Sequence, residues 1–136
     1  MFDELLATEL PPFVTLYLGF YLAAELWDCC ENLRLQRPWW FVSLGAVTAL
    51  ALLALGLAYW LQDWAARLPP MFVLPVGVAS LGWLVTSSLY ELRHHPRDPG
   101  MDAAEHRLAL TIAAGLALAI EAPLCWWVLQ VCAAVL

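Results

Sequence analysis

Apolar residues in this chain fall into four long runs, separated by short stretches that carry the charges and most of the prolines. The second run, Trp39 to Leu61, contains no charged residue. Its length matches the roughly 20 apolar residues that a helix needs to cross a bilayer core. Met71 to Tyr90, directly after Pro69 and Pro70, is also uncharged, and Leu108 to Leu136 holds one charge, Glu121. The first run, Phe13 to Cys30, is the most polar, with Glu25 and Asp28 inside it. The pattern predicts an all-α integral membrane bundle of four transmembrane helices with short loops. The spans are about 13–30, 39–61, 71–90 and 108–136, in a single domain over 1–136. No internal repeat or low-complexity stretch interrupts it.

Local signals place the helix ends. Pro11 and Pro12 suit a helix start, where a missing N–H costs nothing. Asp102 with Glu105 three residues later, just after Pro99-Gly100, predicts a capping box at the head of the last helix. Residues 1–12 form a short acidic segment, and Phe2, Leu5 and Leu6 are expected to make an interfacial turn there. Its charge has the wrong sign for the n-region of a signal peptide.

Composition supports lipid as the solvent. Hydrophobic residues make up 63% of the chain and charged ones 13%, with a mean hydropathy of +0.73. Soluble domains carry about 25% charged residues, and a short chain cannot bury so much apolar surface within itself.

The formal charge is −6, and every cation is an arginine. Lysine-free composition suits a GC-rich genome, and the net charge argues against nucleic acid, whose phosphates need a basic face. Arg34 and Arg37 lie in the first loop and Arg93, Arg97 and Arg107 in the third, against Arg67 alone in the second. By the positive-inside rule, loops one and three face the cytoplasm and both termini lie outside. The expected setting is a bacterial inner membrane. Trp27, Trp39, Trp40, Trp60 and Trp64 fall near span ends, the headgroup level that indoles favour. Trp126 and Trp127 lie deeper, where they are expected to pack on a neighbour or a lipid.

Few residues offer chemistry. Glu121 falls near the middle of the last span, and no span contains a cation to pair with it. It must be protonated, hydrogen-bonded, bound to a cation or paired with another subunit. Pro123, two residues on, frees the carbonyl of Ala119. In the first span Tyr17, Tyr21, Glu25, Asp28 and Asn32 share one side of the helix, within an arc of about 80°. Such a stripe should face the bundle interior, a water-filled crevice or another protein. Arg107, Thr111, Ala114, Leu118, Glu121, Cys125 and Cys132 share one side of the last helix. If the two faces meet, Glu121 and Glu25 occupy one low-dielectric site, where two ionised carboxylates repel. Glu121, Glu25, Asp28 and Tyr21 are therefore the candidate residues for an ion, a proton or a partner contact.

Gly45 with Ala49, Gly82 with Thr86, and Gly115 with Ala119 have the small-xxx-small spacing that lets helices approach closely. They are expected at helix interfaces, within the chain or with partners. Glu91 and His94 match one Glu-x-x-His, but a di-iron bundle needs two such motifs and two further glutamates. No metal site is expected, and no histidines lie within the spans to bind haem. Cys125 and Cys132 are about 10 Å apart along one helix, beyond disulfide reach. Cys29 and Cys30 sit near one membrane face, away from Cys132 at the other, so no intramolecular disulfide is expected.

No nucleophile–base pair occurs at a common depth, so catalysis is not expected. The leading expectation is an accessory or structural subunit of a larger membrane complex, partnered by lipid and by other, unrelated or identical, membrane subunits. The alternative is a homo-oligomeric channel or a proton- or cation-coupled small transporter that uses Glu121 and Glu25. A redox or pigment-binding subunit is a third possibility, and no cofactor is named by these residues.

Overall fold

The computed structural model describes residues 10–136. Within them the chain folds into α1 (Pro12–Arg34), α2 (Trp39–Trp60), α3 (Gln62–Arg67), α4 (Pro70–His94) and α5 (Ala103–Ala133), with no strand. The four long helices are each long and apolar enough to cross a membrane. The chain is thus an all-helical membrane bundle, as its apolar runs predict. The interfacial turn expected of Phe2, Leu5 and Leu6 lies outside the described residues.

Each expected span lies inside or close to a helix, yet three helices run past the apolar segment. α1 continues to Arg34, α4 to His94, and α5 begins five residues before Leu108, at Ala103. Hydropathy marks the lipid-facing stretch, whereas a helix ends only where its backbone is broken or capped. Proline does this at three starts: Pro11, Pro38 and Pro69 are the N-caps of α1, α2 and α4. At α5 the capping box forms. Asp102 Oδ1 accepts from the amides of Ala104 and Glu105 at 2.7 and 2.8 Å, and Glu105 Oε2 accepts from the Asp102 amide at 3.1 Å. The turn between α1 and α2 passes through Gln36 at φ 53°, a left-handed conformation.

α2 is the central helix, packing on α1, α4 and α5, and α4 also packs on α5. The buried core gathers in the half of the bundle nearest α3. It comprises Val14, Leu18 and Tyr21 of α1, Leu52 and Leu55 of α2, Val73 of α4, and Leu124, Trp127, Val128 and Cys132 of α5. Trp127 is the hub of an aromatic cluster. Its ring centroid lies 5.2 Å from Tyr17, 5.5 Å from Trp60 and 6.4 Å from Tyr59. Of the two deeper tryptophans, Trp127 therefore packs on neighbouring helices, while Trp126 is exposed on the outer surface.

Close approach in this half depends on two glycines. A Cβ on Gly56 would collide with Leu124, and one on Gly77 would collide with Cys132. The small residues expected at interfaces behave differently within the chain. A Cβ on Gly45, Gly82 or Gly115 would meet nothing within 4 Å. Gly82, Thr86, Gly115 and Ala119 are exposed, and Gly45 and Ala49 line a cavity instead. Small-xxx-small spacing permits approach but does not say which neighbour arrives. The intrachain interfaces formed where bulky partners happened to face Gly56 and Gly77.

Candidate functional site

Toward loops one and three the four long helices no longer close on each other. Between them lies a cavity of about 800 Å³, reaching from Leu52 and Glu121 to His95, Asp98 and His106. The sequence explains the opening. α5 presents Ala109, Ala113, Ala114 and Ala117 to it, α2 presents Gly45, Thr48 and Ala49, and α4 presents Ser87 and Ser88. Side chains this short cannot span the gap between helices.

Tyr21, Glu25 and Asp28 of α1 line the cavity together with Glu121 of α5. All four candidate residues are thus brought to one site. Glu91 of α4 joins them, and the charges of Glu25, Asp28 and Glu91 all act on Glu121. None of the four carboxylates is ion-paired among the described residues, where Glu31 takes Arg34 at 2.6 Å. Glu121 Oε2 is buried without a hydrogen bond, as are Nε and Nη2 of Arg37 at the mouth. Tyr21 is only 1% exposed, with the Glu25 carboxylate beside it one turn along α1.

The polar stripe of α1 faces inward along most of its length. At its lower end Asn32, itself buried, donates from Nδ2 to Asp28 Oδ2 at 2.8 Å and stands next to Glu91. At its upper end Tyr17 reaches across to α5. Its hydroxyl donates to the Ile120 carbonyl at 2.6 Å and accepts from the Leu124 amide at 3.2 Å. Those two backbone groups are four residues apart on α5, which runs on as a helix through Pro123. Pro123 has no N–H to donate to the carbonyl of Ala119. The Tyr17 hydroxyl thus bonds α5 at the proline turn, one residue from Glu121. Beside the Ala119 carbonyl expected to be freed by Pro123, the groups that Tyr17 engages are the Ile120 carbonyl and the Leu124 amide.

The α5 face is shifted from the expected one. Ala114, Leu118 and Glu121 line the cavity, and the lining continues along His106, Ala109, Leu110, Ala113 and Ala117. Arg107 and Thr111 instead lie exposed, the Thr111 hydroxyl donating to the Arg107 carbonyl at 2.8 Å. Cys132 is buried in the opposite half against the Val73 carbonyl, and all four cysteines are free.

At the mouth, Arg37 was not singled out from sequence as part of a site. Arg37 stacks its guanidinium 5.1 Å from the centroid of the Tyr90 ring and acts on the charge of Glu91. His95 and His106, from opposite sides of loop three, bring their rings to 6.3 Å. Glu91 and His94, one turn apart in sequence, separate: Glu91 enters the cavity while His94 stacks on Tyr90 outside it. Among the described residues no group of three or more His, Cys, Asp or Glu is placed to hold a metal ion.

Comparison with known proteins adds no assignment: no family model, no curated protein and no solved structure matches this chain.

Proposed function

We propose that this protein handles a cation or protons in the membrane, admitting them from the side of loops one and three toward Glu121. The observation that carries this reading is the vestibule. Glu25, Asp28, Glu91 and Glu121 converge on one cavity that has room for a ligand, and none of them is ion-paired among the described residues, Arg37 acting on Glu91 alone from the mouth. A carboxylate in an apolar span is costly, and such groups commonly mark ion pathways and proton relays. The far half of the bundle is sealed by the Leu52, Leu124, Trp127 and Val128 packing. One chain therefore holds a blind vestibule, and a complete path across the membrane requires self-association or movement of α5. The arginine distribution supports a vestibule mouth on the cytoplasmic side with both termini outside, and a bacterial inner membrane is the setting proposed.

Reconstitution in liposomes tests the reading. The wild type is expected to pass protons or monovalent cations, and Glu121→Gln to abolish the flux while the unfolding midpoint stays unchanged. Glutamine keeps an acceptor and gains N–H donors, so a neutral hydrogen-bonding role survives this change, whereas a titrating role does not. Wild-type flux in Glu121→Gln would sink the proposal.

A second reading, an accessory subunit of a larger complex, draws support from the uncovered outer faces. Gly82 with Thr86 and Gly115 with Ala119 lie exposed on α4 and α5. Purification in mild detergent separates the two readings. A stoichiometric unrelated subunit supports the accessory role, and a homo-oligomer supports transport.

A further inference from the structure

We propose that the vestibule binds a protonated organic amine carried on an apolar body, with its ammonium between Glu25, Glu121 and the Tyr21 hydroxyl. This rests on the cation-handling reading and names the class of cation. Size is the first ground. The cavity holds about 800 Å³, within the roughly 300–1,000 Å³ of small-molecule sites, and proton relay alone needs no such space.

The walls are the second ground. The lining also includes Phe41, Trp83, Leu110 and Leu118, together with the alanines of α5. An inorganic cation such as calcium or magnesium is held by a shell of oxygens, and no metal-holding group exists among the described residues. An apolar body covers these walls, and an ammonium near Phe41 or Trp83 is attracted by the ring faces.

Tyr21 supplies the third. Its side chain is buried and lines the cavity, and its hydroxyl engages the Glu25 carboxylate one turn along α1. An ammonium that neutralises Glu25 or Glu121 can donate an N–H to the Tyr21 oxygen, which keeps acceptor capacity while its own proton goes to Glu25.

The test uses the whole protein in lipid nanodiscs with three probes: labelled 4-phenylbutylammonium, the neutral 4-phenylbutan-1-ol, and rubidium ion. Empty nanodiscs correct for partition into lipid. The amine is expected to bind saturably, one per chain, and the alcohol at least about tenfold more weakly, since it lacks the charge. Glu25→Gln should weaken amine binding by about tenfold or more, and Tyr21→Phe by about threefold. Phenylalanine keeps the buried ring and gives up only the contact to Glu25, so Tyr21→Phe is expected to fold as the wild type does. Equal binding of amine and alcohol, or amine binding unaffected by Glu25→Gln, overturns the proposal. Rubidium flux into liposomes that depends on Glu121, without saturable amine binding in nanodiscs, also overturns it but leaves the cation-handling reading intact. Absence of amine binding together with absence of any Glu121-dependent flux removes both.

Discussion

The two halves of the bundle are built from the same four helices but solve opposite problems. Near α3 the helices meet through large side chains and two glycines: Trp127, Leu124 and Val128 fill the space, and Gly56 and Gly77 admit their neighbours. Near loops one and three the same helices carry alanine, serine and glycine, and what remains between them is an acidic cavity. Lipid is as apolar as leucine, so burial in a membrane supplies little drive for helices to associate. Contact must come from packing and hydrogen bonds. The far half has both, and that lets the near half stay open.

The strongest test of this contrast is Trp127→Ala. It should cost about 3 kcal/mol, the lower end for aromatic truncation in a core. Leu118→Ala, in the wall of the cavity, should stay within about 0.5 kcal/mol. Unfolding in detergent, followed by tryptophan fluorescence, measures both; equal losses at the two sites would show the halves to be packed alike.

Gly56→Val comes next, with an expected loss of about 2 kcal/mol from overpacking against Leu124 and Trp127. Gly82→Ala should cost nothing and can gain up to about 1 kcal/mol, because alanine is the better helix former and nothing stands in its way. Comparing the two midpoints distinguishes intrachain contact from mere small-residue spacing. A destabilised Gly82→Ala that also loses its oligomer would reassign that face to a partner chain.

Tyr17→Phe is the smallest of the three. Removing the hydroxyl leaves the Ile120 carbonyl and the Leu124 amide without their shared partner, a loss of about 1 kcal/mol. Hydrogen exchange should rise at Leu124 and its neighbours and stay unchanged at Val73. If exchange at Leu124 does not change, the joint at Pro123 is held by the helix alone.

The stripe of α1 was legible from sequence because helical period alone places Tyr17, Tyr21, Glu25, Asp28 and Asn32 on one side, and a lipid-facing position is poor for carboxylates. Glu91 was not legible as a member of the site. It follows the last uncharged residue of its run and looks like a juxtamembrane charge; only the continuation of α4 to His94 carries it into the cavity wall. Arg37 is similar, a loop residue by sequence that the left-handed turn at Gln36 leads back toward Tyr90.

By itself the sequence determined the four helices, their proline and aspartate starts, and the polar side of α1, because each follows from local backbone chemistry or from a period along one helix. Tertiary structure alone decided which small residues meet a neighbour and which border a void. It also decided that Glu25, Asp28, Glu91 and Glu121 share one cavity, and that Tyr17 bonds α5 beside Pro123. The physical reason is that periodicity fixes the direction of a side chain about its own axis, whereas the rotation and spacing of one helix against another depend on side chains far apart in the chain. Gly56 meeting Leu124 and Tyr17 meeting Ile120 are such pairs, invisible until the helices are packed.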